Sequence, residues 1–156
     1  MTLYQAGLAP EQGAQTQSGD WWETPYGRWR LAGETEAMWE RFPGFELHLS
    51  DEGDLVWAGV LRSTLKKRKR YVVKVTYPNR FPWEPPVVTI VQPKLDTNAP
   101  HLLGGARPCL FRAYNGPRSG YDPARTTAAT LVAWTALWTH AYETWKATGT
   151  WPGSEE

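Results

Sequence analysis

Apolar positions gather into four strand-like runs at 45–49, 55–62, 71–77 and 87–91, separated by Asp51-Glu52-Gly53-Asp54, a Lys/Arg cluster and a proline-rich corner. Connections this short predict an antiparallel four-stranded meander. The third run, YVVKVTY, alternates only in part, because Val72, Val73 and Val75 put apolar side chains on both faces. That pattern predicts a central strand. Ahead of the strands, GETEAMWERF at 33–42 carries Glu34 and Glu36 near its start, Arg41 near its end and Pro43-Gly44 beyond. These are the charge and stop signals of a helix of about two or three turns. Behind the strands, Asp122-Pro123 offers an N-cap acceptor and a proline at the first helical position, so a long helix is expected over 123–147. Along it Leu131, Trp134, Trp138, Tyr142 and Trp145 recur at steps of three or four, a stripe with the 3.6-residue period of a core-facing surface. Gly149 is placed to end this helix, and Trp151-Pro152-Gly153 to fold back as an aromatic anchor.

The segments between these elements differ in kind. PNRFPWEPP at 78–86 holds four prolines in nine residues, which predicts a rigid, extended corner with Phe81 and Trp83 turned inward. Residues 92–122 have no clear period, and a connection of that length inside a domain usually carries function. Cys109 lies within it. Residues 1–20, rich in Gln, Gly, Ala and Thr, read as a flexible arm, leaving 21–156 as a single α+β domain.

Composition narrows the choice of chemistry. The 156 residues suit one domain, and 17 Lys+Arg against 16 Asp+Glu give a formal charge of +1, without the basic excess that drives non-specific nucleic-acid binding. No apolar run is long enough to span a membrane, and no secretory signal opens the chain, so a cytoplasmic protein is expected, with no membrane partner. A single cysteine excludes an intramolecular disulfide and a cysteine-cluster metal site. His48, His101 and His140 are dispersed without ligand spacing, and no phosphate-binding loop is present, so neither metal nor cofactor is expected. Cys109 is therefore either a small buried hydrophobe or a reactive thiol.

Two segments point to the second choice. YVVKVTYPNRFPWEPP at 71–86 resembles the pattern of ubiquitin-conjugating (E2) proteins: a hydrophobic strand, Tyr/Phe-Pro, and a closing Pro-Pro. HLLGGARPCL at 101–110 resembles their His-to-Cys-Leu active-site segment, and YETWKATGTWPG at 142–153 is similar to prokaryotic E2-like proteins of antiphage and ubiquitin-like conjugation operons. The resemblance covers residues 44–153. It implies an E2 core with an N-terminal helix, a four-stranded antiparallel meander, a long active-site loop and a long C-terminal helix. The 47 residues after Cys109 leave a truncated C-terminal lobe.

The resemblance also implies an activity. Cys109 would carry a ubiquitin-like modifier, or the C-terminus of a donor protein, as a thioester received from an E1-like activating enzyme. It would pass that acyl group to a lysine of a target protein in bacterial antiphage defence of the CBASS type, a cyclic-oligonucleotide synthase among the candidates. Arg107 and Arg112 flank the cysteine and favour its thiolate. The His-Pro-Asn motif of eukaryotic E2s is missing: His101 stands eight residues before Cys109, at the spacing of the family's Asn, and Asn98 stands eleven before. His101 is the first candidate for oxyanion donor or proton acceptor, and Asn98 the second. Tyr114 and Tyr121 are candidates for lining the thioester groove, whereas Asp122 is read as a helix cap. Lys66-Lys67-Arg68-Lys69-Arg70 reads as a solvated hairpin tip that discourages edge pairing. The competing reading is a catalytically silent E2-variant module that grips a modifier or partner.

Overall fold

The computed structural model describes residues 20–66, 69–111 and 120–153. Outside them lie the arm expected over 1–20, apart from Asp20, and Lys67, Arg68, Arg112 and Tyr114. A short 3-10 turn (Trp21–Glu23) leads into helix α1 (Pro25–Arg41). Strands β1 (Glu46–Leu49), β2 (Leu55–Arg62), β3 (Arg70–Thr76) and β4 (Val87–Gln92) follow, then a small hairpin of β5 (Leu102–Leu103) and β6 (Arg107–Pro108), and helix α2 (Ala128–Thr148). The four long strands form one antiparallel sheet in the order β1-β2-β3-β4, with Trp57 opposite Val75 and Val75 opposite Val88. The expected meander is thus observed, with β3 in its interior.

Alternation explains which face is covered. Tyr71, Val73 and Val75 of β3 are buried, while Arg70 before them and Lys74 between the two valines are exposed. Those inner residues share one core with Trp57, Val88 and Ile90 of the sheet, Met38 of α1, and Leu131, Val132, Trp138 and Tyr142 of α2. Both helices therefore cover the same face of the sheet.

Helix α1 starts eight residues earlier than expected from 33–42. Thr24 caps it by accepting the Gly27 N–H at 2.9 Å, and Pro25 takes the first turn. A Cβ at Gly27 would sit 1.7 Å from the Trp21 carbonyl oxygen, so close approach of the turn demands glycine.

Helix α2 starts later than expected. Its N-cap is Thr127, which forms a reciprocal capping box with Thr130, and Asp122 instead organises a separate turn over 122–126. The cause lies in α1: Arg30 donates to the Pro123 carbonyl at 2.7 Å and the Thr126 carbonyl at 2.9 Å. A helix running through Pro123 would need its carbonyl for the Thr127 N–H. At its far end α2 stops on Gly149, which adopts φ 83°.

The proline corner differs too. Trp83 and Glu84 donate backbone N–H groups to the Arg80 carbonyl, forming a turn where an extended run was expected. The turn sends Phe81 into the core and leaves Trp83 71% exposed, not inward.

One buried carboxylate joins these pieces. Glu34, with no exposed surface, accepts the Arg30 Nε–H at 3.2 Å, the Tyr77 hydroxyl at 2.6 Å and the Ala128 N–H at the start of α2 at 2.8 Å. Trp57 in turn donates its indole N–H to the Tyr77 oxygen at 2.8 Å. Among the described residues no helix is long and apolar enough to cross a membrane. Breaking a buried pair strands the remaining charge, so Glu34→Gln is expected to lower the unfolding free energy by about 3–5 kcal/mol. Urea melts of the two proteins test this, and a loss under about 1 kcal/mol would show that Arg30 finds adequate solvation elsewhere.

Candidate functional site

The loop after β4 is held down at its base before it reaches the cysteine. Asp96 donates its backbone N–H to the Tyr142 hydroxyl at 2.9 Å, and its carboxylate accepts the Asn98 N–H at 2.9 Å and lies 3.4 Å from Lys146 Nζ. The Asn98 N–H and then the Lys146 ammonium hold that carboxyl below the usual 3.8 of an aspartate.

The chain then turns at His101, whose φ of 59° is left-handed, a conformation His tolerates better than most residues. Gly104 and Gly105 reverse it between β5 and β6, and Arg107 donates its Nε–H to the Gly104 carbonyl at 2.8 Å across that turn. The hairpin leans on β4 through the Ile90 N–H to Ala106 carbonyl bond of 3.0 Å. This hairpin was not legible as such, being two residues per strand around a Gly-Gly pair.

The thiol sits directly after β6. The His101 carbonyl accepts two donors, the Cys109 N–H at 2.8 Å and the Trp138 indole N–H at 2.9 Å, so one oxygen couples the cysteine backbone to α2. Trp151 closes over this point, its ring centroid 5.2 Å from that of His101 and 5.4 Å from that of Trp138. Cys109 itself is half-buried, with Sγ 3.9 Å from the Phe111 carbonyl oxygen.

Two cavities meet at Cys109. One, of about 610 Å³, is walled by His101, Trp134, Leu137, Trp138 and Trp151. The other, of about 370 Å³, lies toward the proline corner and includes Glu84, Val88, Arg107 and Phe111. The structure thus brings Cys109 and His101 to a common cavity. Asn98 is exposed and is not among the residues lining either one. Tyr121 stacks on Phe111 at 5.6 Å and donates its hydroxyl to the Pro82 carbonyl at 2.6 Å, bracing the second cavity from behind.

The Trp stripe has two jobs. Leu131, Trp138 and Tyr142 are buried as expected, whereas Trp134 and Trp138 also form cavity wall beside the thiol. The periodicity that revealed the stripe carried no sign of this second role, and Glu84 went unremarked inside the proline run.

A helix, a four-stranded antiparallel meander, a proline corner, a loop bearing the lone cysteine and a closing helix are compatible, in that order, with the E2-like class of proteins. The family model described as Type II CBASS E2 protein matches residues 34–156, and the chain belongs to that E2-CBASS family, a bacterial group with an antiphage context. No curated protein matches the chain.

Two measurements check how the site is held. Trp138→Phe keeps the ring packing and deletes one hydrogen bond worth roughly 0.5–1.5 kcal/mol, so exchange of the Cys109 amide is expected to quicken about 2- to 10-fold. Unchanged exchange would mean that the indole does not hold the His101 peptide. Asp96 has its folded pKa below the unfolded value, so its contribution is present above 3.8 and lost as pH falls through the depressed value. Asp96→Asn should therefore lower Tm at neutral pH, and the gap from wild type should close as pH falls below the usual carboxylate value of 3.8 and through the depressed one. A gap independent of pH would refute the assignment.

Proposed function

We propose that Cys109 is an acyl-carrying nucleophile, and that residues 21–156 act as one E2-like transferase domain. In the first step its thiolate attacks the activated C-terminal carbonyl of a ubiquitin-like modifier or donor protein held by an E1-like enzyme, forming the thioester and expelling the activating group. In the second, a lysine amine of the target attacks that carbonyl and the Cys109 thiolate leaves. Within CBASS the target we favour is a cyclic-oligonucleotide synthase.

One observation carries the reading: the only cysteine of an E2-CBASS family member is half-exposed where two cavities meet. The Cys109 N–H is already committed to the His101 carbonyl, so the oxyanion needs another donor. His101, which shares the larger cavity with the thiol, is our choice for that donor or for proton acceptor; Asn98 is the reserve.

Intact-mass analysis after incubation with ATP and the E1-like and modifier proteins encoded beside this chain tests the proposal. A thiol-sensitive adduct is expected on the wild type, none on Cys109→Ala, and a thiol-resistant ester on Cys109→Ser. His101→Ala should slow discharge to lysine by about 10²–10³ while Asn98→Ala stays near wild type. An active E1-like enzyme that leaves Cys109 uncharged would favour the silent binding module instead.

A further inference from the structure

His101 is held twice, by two indoles that touch each other. Its carbonyl accepts the Trp138 N–H at 2.9 Å, its ring centroid lies 5.2 Å from that of Trp151, and Trp151 lies 5.4 Å from Trp138. The two holds are unlike. The first fixes the peptide by a directional bond, whereas among the described residues neither ring nitrogen of His101 makes a hydrogen bond, and Trp151 is the aromatic ring against it. His101 is exposed at a cavity of about 610 Å³, so an imidazole without such a bond is free to change rotamer. In catalytic sites a carboxylate or carbonyl on the second ring nitrogen ordinarily stops that motion. Here the contact in place to stop it is an indole. Trp151 is itself well placed: Gly149 ends α2 in the left-handed conformation, and the Thr148 hydroxyl fastens the turn beyond, donating to the Thr144 carbonyl at 2.8 Å and accepting the Thr150 N–H at 3.1 Å.

From this triangle we infer, resting on the reading of Cys109 as an acyl carrier and of His101 as the group that acts in discharge, that Trp151 is a positioning residue for transfer to the amine. It acts through the imidazole, whose ring it holds on the cavity side. The effect belongs to the second step. Exchange between a thiolate and a thioester moves no proton and expels a good leaving group, whereas an attacking amine must shed a proton while charge builds on the carbonyl oxygen. A donor or acceptor held in one direction therefore serves aminolysis more than charging. The turn after α2, which contributes no group to the bonds made and broken, then sets the rate of transfer through the ring of one residue in the loop before the thiol.

The test needs no operon partner. The full chain is charged with the mercaptoethanesulfonate thioester of acetyl-Ala-Ala-Leu-Ala-Gly: the Cys109 thiolate attacks the carbonyl, a new carbon–sulfur bond replaces the old, and mercaptoethanesulfonate leaves as its thiolate. Free lysine is then added; its amine attacks that carbonyl, a carbon–nitrogen bond replaces the carbon–sulfur bond, Cys109 leaves as thiolate, and the amine proton passes to His101 or water. Intact mass follows both steps. Trp151→Ala is expected to slow discharge about 10- to 100-fold with charging within about twofold of wild type, and Trp151→Phe, which keeps a ring in place, to restore most of the rate. Added to His101→Ala, Trp151→Ala should cost nothing further, because it has no imidazole left to position. Exchange of the Cys109 amide should stay at the wild-type rate in Trp151→Ala, since Trp138 holds the peptide. Losses that multiply in the double variant, charging slowed as much as discharge, or a quickened Cys109 amide would each overturn the positioning role and leave Trp151 a structural wall. Full discharge by Trp151→Ala beside a slow His101→Ala would overturn that role alone. Full discharge by His101→Ala would overturn it together with the part given to His101, leaving Cys109 a carrier. A thiol that iodoacetamide alkylates and the thioester does not acylate would overturn the carrier reading and the positioning role together.

Discussion

A carboxylate with no exposed surface, Glu34, accepts donors from three directions, and the positions of α1, the sheet and α2 all depend on it. Its partner Arg30 extends the joint by binding the carbonyls of Pro123 and Thr126 and by lying 4.8 Å above the Phe81 ring. Taking such a pair out of water is costly, and apolar side chains of equal volume often stabilise a core as well or better. The arrangement therefore makes sense as a device for specificity. An Ala128 N–H at a helix start prefers a negative partner, and only one register of α2 places it on Glu34.

That register matters because α2 is held again at its other end. Glu143, buried on its last third, accepts the Tyr71 hydroxyl from β3 and the Ser63 hydroxyl at the base of the β2–β3 hairpin. Asp96 adds the loop after β4 through Tyr142 and Lys146. Between the two pins lies Trp138, whose indole N–H meets the His101 carbonyl. A slip of α2 by one residue would rotate Trp138 by about 100° and remove it from that oxygen. The thiol is thus placed by a helix that contributes no atom to the proposed bond-making step.

Sequence patterns revealed the strands well: the apolar runs at 55–62 and 71–77 both form strands, and the partial alternation of 71–77 survives as burial of Tyr71, Val73 and Val75. Helix ends were harder. Asp122-Pro123 is a strong local start signal, and it lost to Arg30, a residue 93 positions away that takes the Pro123 carbonyl. The start of α1 was missed because the reading rested on the charges of 33–42, whereas Thr24 and Pro25 open the helix eight residues earlier. Cys109 stood out by elimination and by the motif around it, and His101 by its spacing. The indole wall did not stand out, because a stripe that buries one edge of each ring in a core has the same period as one that turns the other edge to a cavity.

The fate of one backbone oxygen shapes the chemistry open to the site. With the Cys109 N–H donating to the His101 carbonyl, that amide is unavailable to a developing oxyanion. In the proposed reaction, the tetrahedral intermediate then draws on a donor other than the Cys109 N–H. His101 is left-handed: its carbonyl is turned to fasten the loop, and its ring is left on the cavity side against Trp151. In this geometry the peptide plane of His101 supplies the anchor, and in the function proposed above its imidazole takes the part of the usual Asn.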